Sequence, residues 1–148
     1  MVEAGAPAPD FSLPDQDGNS VSLGDFAGRN LVLTFYPLDF SPGCTNQLSL
    51  YQEVLDEIDT RGATLVGVSV DSAYCHRAFR EHLNLTMPLL ADFHPKGAMS
   101  REYGVYNEDL GTANRSLVVV GEGGVVRWSH AAASREIPGA NLIFDALE

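Results

Sequence analysis

The chain has 148 residues, of which 45% are hydrophobic and 20% charged, and its formal net charge is −11 at pH 7. This composition is typical of a globular protein with a substantial core, and we expect residues 1–148 to form a single domain. The acidic balance argues against binding to nucleic acid or to anionic membranes, which it would repel. The sequence has no bilayer-length apolar segment and no signal-peptide pattern, so we expect a cytoplasmic protein.

The first third of the chain predicts two short strands and one buried strand. Residues 11–13 and 20–23 are strand candidates, and the polar segment 15–19 between them is a strong turn signal. We therefore expect an N-terminal β-hairpin. The apolar run at residues 31–36 is typical of a strand that is buried on both faces.

The next segment predicts a helix and a second buried strand. Apolar residues recur there at spacings of three and four, which is the pattern of one amphipathic helix ending near residues 61–62. The members of this stripe are Leu48, Tyr51, Leu55 and Ile58. The apolar run at residues 64–70 then completes a strand–helix–strand unit with a right-handed parallel crossover.

The second half of the chain predicts a mixed set of elements. A helix is expected to begin at Asp71 or Ser72 and to carry Cys75, Phe79 and Leu83 on one face. The other predicted elements are a short strand at 87–91, a short helix at 97–103, a hairpin of strands 116–120 and 125–130, and a closing helix near 142–147. This order predicts an α/β fold of the thioredoxin-like type, with a mixed central sheet flanked by helices.

Cys44 is the most informative residue because it directly follows the first buried strand. Ser41 is a favourable helix N-cap and Pro42 suits the first helical position, so Cys44 falls in the first turn of a helix. A sulfur there faces the positive end of the helix dipole and unpartnered N–H groups, which favour thiolate over thiol. The alternative is a small buried hydrophobic residue, the usual role of a free cysteine.

The segment 37–44 reads Pro-Leu-Asp-Phe-Ser-Pro-Gly-Cys, which resembles the P-x-x-x-[T/S]-x-x-C signature of the peroxiredoxins. The resemblance covers nearly the whole chain and is greatest to the bacterioferritin-comigratory or one-cysteine-like branch of the alkyl hydroperoxide reductase and thiol-specific antioxidant family. Five further blocks carry it: Asp10-Phe11 and residues 68–72, 88–92, 103–106 and 114–116. Ser41 stands where thioredoxin-type proteins have the first cysteine of C-x-x-C, so dithiol exchange from this motif alone is excluded.

The resemblance implies a cofactor-free, thiol-dependent peroxidase that reduces hydrogen peroxide and organic hydroperoxides. Cys44 would be the peroxidatic cysteine, whose thiolate attacks the peroxide and becomes a sulfenic acid. Pro37 would shield the sulfur from bulk water, and Ser41 would hydrogen-bond both the thiolate and the peroxide. Arg115 would be the active-site cation that stabilises the thiolate and orients the peroxide. Gln47 stands where many relatives have glutamate, and it brings no charge.

The role of Cys75 determines which thiol would reduce the sulfenic acid. Relatives that resolve from this helix commonly place the cysteine near the position of Arg80, about a turn and a half further on. Cys75 is therefore either the resolving cysteine or a structural residue packed with Phe79 and Leu83. In the second case the reductant is an external thiol, either thioredoxin-like or of low molecular weight. We expect no metal site, because the pair Cys75-His76 has no spaced partners.

Two other functions stay open at this point. One is a peroxide-responsive redox sensor or binding module that signals through the oxidation state of Cys44. The other is a thiol–disulfide oxidoreductase that uses Cys44 and Cys75, although Ser41 and Arg115 argue against it. The resemblance implies a monomer or a homodimer, of which we expect the homodimer, rather than a ring of many subunits.

Overall fold

The computed structural model describes residues 1–133 and 135–148. Two short strands, Ser12–Pro14 and Ser20–Ser22, form an N-terminal hairpin, and Tyr106–Asn107 and Thr112–Ala113 form a second small one. The strands are β1 (Ser12–Pro14), β2 (Ser20–Ser22), β3 (Asn30–Phe35), β4 (Ala63–Ser69), β5 (Leu89–Ala91), β6 (Tyr106–Asn107), β7 (Thr112–Ala113), β8 (Ser116–Val120) and β9 (Val126–Ala131). The helices are α1 (Pro42–Glu53), α2 (Leu55–Thr60), α3 (Ala73–Leu83), α4 (Ala98–Glu102) and α5 (Ala140–Ala146).

The central sheet has five strands in the order β5-β4-β3-β8-β9. Strands β3, β4 and β5 are parallel, whereas β8 runs antiparallel to β3 and β9 runs antiparallel to β8. Every residue of β8 is buried, and so are the last five residues of β3, as their apolar runs predict. The mixed sheet and the N-terminal hairpin confirm the predicted thioredoxin-like fold.

The sheet separates two apolar cores because successive side chains of a strand point to opposite faces. Val32 of β3 packs in the core that contains Cys44 and the buried side chains of α1, α2, α3 and α5. Its neighbours Leu31 and Leu33 pack in the opposite core, with Met99 and Tyr103. Within the described residues, no helix has the length and apolar character needed to cross a membrane.

The single helix predicted after Cys44 is in fact two helices. Val54 ends α1 and begins α2, with φ −109° and ψ 12°. This β-branched residue has a modest helix propensity, and its N–H is bonded to the Tyr51 carbonyl in a tighter turn than that of an α-helix. The apolar stripe survives the break, since Leu48, Tyr51 and Ile58 are all fully buried.

Helix α3 begins as predicted but presents a different face to the core. Ser72 is its N-cap, and the side chain of Ser72 accepts a hydrogen bond from the Cys75 N–H at 3.2 Å. The buried residues of α3 are His76 and Phe79, whereas Cys75 and Leu83 are only half-buried. The predicted stripe is therefore wrong in part, because a polar imidazole occupies the interior position.

Candidate active site

The topology brings Cys44 and Arg115 together although 71 residues separate them. The chain leaves the carboxyl end of β3 through a short loop and enters α1, where Cys44 is the third residue. Strand β8 is antiparallel to β3, and its first residue, Ser116, pairs with Phe35, the last residue of β3. Arg115 precedes Ser116, so it lies at the same edge of the sheet as the start of α1.

Cys44 is fully buried, and its Sγ lies 3.7 Å from Nη2 of Arg115. The first N–H groups of a helix have no intrahelical partner, so those of Gly43 and Cys44 supply further positive potential near the sulfur. A fixed guanidinium at this distance stabilises negative charge on the sulfur. The arrangement therefore fits a cysteine that reacts as a thiolate.

Gln47 holds Arg115 in place through a chain of hydrogen bonds. Arg115 Nη1 donates to Gln47 Oε1 at 2.5 Å, and Gln47 Nε2 donates to the Tyr51 hydroxyl at 3.1 Å. The Tyr51 hydroxyl in turn donates to the Pro138 carbonyl at 2.6 Å. Burial raises the pKa of Tyr51, which keeps this donor proton in place. Sequence reasoning identified Gln47 only as a helper and assigned Tyr51 to the apolar stripe.

Pro37 and Ser41 lie in the loop that enters α1. Pro37, Gly43 and Arg115 line an open cleft of about 770 Å³ beside the buried sulfur. Ser41 is the N-cap residue of α1, and its hydroxyl donates to the Leu38 carbonyl at 2.8 Å. With its proton so engaged, the Ser41 oxygen is free to act as an acceptor, whereas donation to the thiolate would require the hydroxyl to rotate.

A buried polar cluster under this loop was not foreseen from the sequence. Asp39 Oδ1 accepts a hydrogen bond from the Tyr36 hydroxyl at 2.6 Å, and Asp39 Oδ2 lies 2.7 Å from His76 Nδ1. His76 Nε2 lies 2.9 Å from the Leu90 carbonyl, which can only accept, so this nitrogen carries a proton. Burial and the neighbouring Asp39 raise the pKa of Tyr36, which therefore remains a donor. The one signal of this cluster in the sequence is Asp39, a charged residue between the apolar residues Leu38 and Phe40.

Cys75 lies beside this cluster. Its Sγ is 3.9 Å from Asp71 Oδ1, and burial, reinforced by Asp39 and Asp71, raises the pKa of the Cys75 thiol to about 12. One ligand atom from each of these three residues lies within 4.8 Å of the others. The carboxylate oxygens already accept hydrogen bonds from protein donors, so the group is explained as a hydrogen-bonded cluster without a metal ion.

Comparisons with known proteins identify the family of the chain. The profile of the AhpC/TSA family matches residues 4–129. The chain is 36% identical over 148 residues to alkyl hydroperoxide reductase E of Mycobacterium tuberculosis, an alignment that covers 99% of this chain and 97% of that protein. It is 38% identical over 128 residues to chloroplastic peroxiredoxin Q of Oryza sativa subsp. japonica, which covers 86% of this chain and 58% of that protein.

Two solved structures are also similar over nearly their whole length. Peroxidoxin BcpB from Mycobacterium tuberculosis superposes with a TM-score of 0.87 at 28% identity, covering 99% of this chain and 95% of that chain. AhpC from Enterococcus faecalis superposes with a TM-score of 0.91 at 27% identity, covering 99% of this chain and 91% of that chain. The chain therefore belongs to the AhpC/TSA family, the peroxiredoxins, and is a thiol-dependent peroxidase.

Proposed function

We propose that the protein reduces hydrogen peroxide and organic hydroperoxides through Cys44. The Cys44 thiolate attacks one peroxide oxygen, an S–O bond forms while the O–O bond breaks, and water or an alcohol leaves after taking up a proton. The sulfur becomes a sulfenic acid. The observation that carries the proposal is the 3.7 Å contact between Cys44 Sγ and Arg115 Nη2 in the first turn of α1.

Each neighbouring group has a proposed part in this step. Arg115 stabilises the thiolate and the charge that develops on the peroxide oxygens, assisted by the N–H groups of Gly43 and Cys44. Ser41 accepts a hydrogen bond from the O–H of the peroxide, a role supported by the engagement of its own proton with Leu38. Pro37 limits the access of bulk water to the sulfur, which is supported by its place in the wall of the cleft.

The second half of the cycle is proposed to use an external thiol, either thioredoxin-like or of low molecular weight. A thiol must be deprotonated to attack a sulfenic acid, and a pKa of about 12 makes the Cys75 thiolate rare near neutral pH. Resolution by Cys75 requires that its thiol first move away from the carboxylates of Asp39 and Asp71. A Cys44–Cys75 disulfide in peroxide-treated wild-type protein would assign resolution to Cys75 instead.

Peroxide consumption with a thiol donor tests the proposal. Cys44→Ser is expected to abolish turnover, while Cys75→Ser, a matched control at the other cysteine, is expected to retain it. Retained turnover in Cys44→Ser would refute the proposal. Oxidation of Cys44 without turnover would favour a redox sensor, and reduction of insulin disulfides without peroxide consumption would favour a thiol–disulfide oxidoreductase.

Assembly and location complete the proposal. We propose a single domain over residues 1–148 that acts as a homodimer, since Leu38 and Phe40 expose apolar surface beside the site. Light scattering on the purified protein tests this, because a monomer mass at all concentrations would contradict it.

A cytoplasmic location suits the chemistry, which depends on a supply of reducing thiol. The acidic surface disfavours nucleic acid and anionic membranes as partners.

A further inference from the structure

One peptide group connects Asp71 with Ser41. The N–H of Asp39 donates to Asp71 Oδ2 at 2.8 Å. The carbonyl of the same peptide group belongs to Leu38, and it accepts the Ser41 hydroxyl at 2.8 Å and the Ser41 N–H at 3.4 Å. A peptide group is planar, so fixing the direction of its N–H also fixes the direction of its carbonyl.

The groups at the Asp71 end of this connection are themselves held in place. Asp71 Oδ2 also accepts the Ser69 hydroxyl at 2.5 Å, and the Asp71 N–H lies 3.3 Å from the Ser69 oxygen. The buried side chain of Asp39 is fixed separately, by Tyr36 and His76. Both the N–H donor and its carboxylate acceptor therefore have little freedom to reorient.

The next residue of the loop shows that the surrounding contacts impose its conformation. Phe40 has a φ of +68°, in the left-handed region that a residue with a bulky side chain rarely adopts. Its ring packs against Phe79 and His82 of α3, with centroid separations of 5.1 and 5.8 Å. The loop that carries Ser41 is thus held against α3 by the Phe40 ring. It is also held by the hydrogen bond from the Asp39 N–H to Asp71, which follows β4.

We propose that Asp71 is a positioning residue for peroxide reduction and acts through the Ser41 hydroxyl. By fixing the 38–39 peptide group, it keeps the Ser41 proton on the Leu38 carbonyl and leaves the Ser41 oxygen as an acceptor for the O–H of the peroxide. Without it, the Leu38 carbonyl no longer holds the Ser41 proton in one direction, and the Ser41 oxygen is no longer a fixed acceptor for the peroxide. The inference rests on the proposed role of Ser41.

A double-mutant cycle tests this coupling, with all variants made in a Cys75→Ser background so that Cys44 is the only cysteine. The measurement is the rate constant for oxygen addition to Cys44 by hydrogen peroxide, followed by intact mass in a quenched-flow experiment. Ser41→Ala and Asp71→Ala should each lower it by about tenfold, the effect of losing one ordinary hydrogen bond in the transition state. The double variant should react no more slowly than Ser41→Ala alone.

Conservative and matched variants separate positioning from general damage. Asp71→Asn keeps an oxygen that can accept the Asp39 N–H, so it should retain most of the wild-type rate. Asp92 follows β5, and its buried carboxylate accepts the N–H groups of Met99 and Ser100 and the Ser100 hydroxyl, so Asp92→Ala should lower stability but not the rate.

Three outcomes would overturn the inference and leave the proposed role of Ser41 intact. The first is an undiminished rate in Asp71→Ala. The second is that Asp71→Ala lowers the rate by the same factor in the presence of Ser41 and in the Ser41→Ala variant. The third is that Asp92→Ala lowers the rate as much as Asp71→Ala does. An undiminished rate in Ser41→Ala would refute both the role of Ser41 and this inference. Cys44-dependent peroxide consumption would still stand in that case, so the two failures are distinguishable.

Discussion

A Cβ atom added at Gly43 would lie only 3.0 Å from Nη2 of Arg115. Gly43 lies in the first turn of α1, directly before Cys44, and its φ is not in the left-handed region. The backbone therefore does not require glycine at this position. A side chain there would force the guanidinium beside the sulfur to shift by a few tenths of an ångström.

Gly43→Ala should consequently displace Arg115 and slow the reaction of Cys44 with peroxide by about tenfold, as expected when one charge-assisted contact is lost. Stability should not fall, because alanine is the better helix former. Gly24→Ala is the matched control, since an added Cβ there meets nothing within 4 Å. Stopped-flow kinetics and urea unfolding of both variants check the prediction. Equal rates in the two variants would disprove it.

Gln47→Ala should release Arg115 without removing any charge from the site. The guanidinium would then sample orientations that do not face Cys44, so the rate should fall by several-fold to about tenfold. Tyr51→Phe keeps Gln47 and removes the two hydrogen bonds of the Tyr51 hydroxyl, to Gln47 and to Pro138, so its effect on the rate should be smaller. The same stopped-flow measurement ranks the two variants, and a larger loss in Tyr51→Phe would contradict this order.

His76→Ala should destabilise the fold strongly because it leaves one oxygen of the buried Asp39 carboxylate, Oδ2, without its hydrogen-bond partner. The expected loss is about 3–5 kcal/mol in the free energy of unfolding. His130 makes a similar contact with Glu136 at 2.9 Å, but both side chains are partly exposed, so His130→Ala should lower the free energy of unfolding much less. Urea unfolding at neutral pH compares the variants. Similar losses would show that Asp39 and His76 are not coupled as described.

The raised pKa of Cys75 predicts a specific dependence of stability on pH. The folded-state pKa of about 12 lies above the usual thiol value of 9.0, so the unfolded chain loses this proton first as the pH rises. The free energy of unfolding should therefore be insensitive to Cys75 below about pH 9 and should fall between about pH 9 and about pH 12.

Comparison with Cys75→Ser isolates this contribution from that of the tyrosines, which also titrate in alkaline solution. The difference in unfolding free energy between wild type and Cys75→Ser should change from about pH 8 to about pH 10, in the direction of relative loss in wild type. Asp71→Asn should also speed alkylation of Cys75, because one of the charges that raise its pKa is removed. A pH-independent difference would contradict the raised pKa.

Some parts of the fold and site could be predicted because local patterns specify them. The buried strands follow from apolar runs such as 116–120, and the position of Cys44 follows from the N-cap and proline before it. Arg115 was predicted only by family resemblance, because its approach to Cys44 depends on the pairing of β8 with β3, which has no local signal.

The polar cluster could not be predicted for the same reason. Asp39 and His76 are 37 residues apart, and nothing in either segment indicates that the first turn of α3 packs beneath the Cys44 loop. The break at Val54 was missed because neither glycine nor proline marks it. In each case a long-range contact or a small backbone adjustment determined the structure, whereas the local sequence propensities were compatible with several structures.

The central claim is that the Sγ atom of Cys44, activated by Arg115, attacks the peroxide. Intact mass and peptide mapping of Cys75→Ser protein after one equivalent of hydrogen peroxide test it most directly. The account predicts the gain of one oxygen, located on Cys44, and a much slower gain in the Arg115→Gln variant of the same protein. Oxygen on another residue, no gain at all, or an undiminished rate without Arg115 would contradict it.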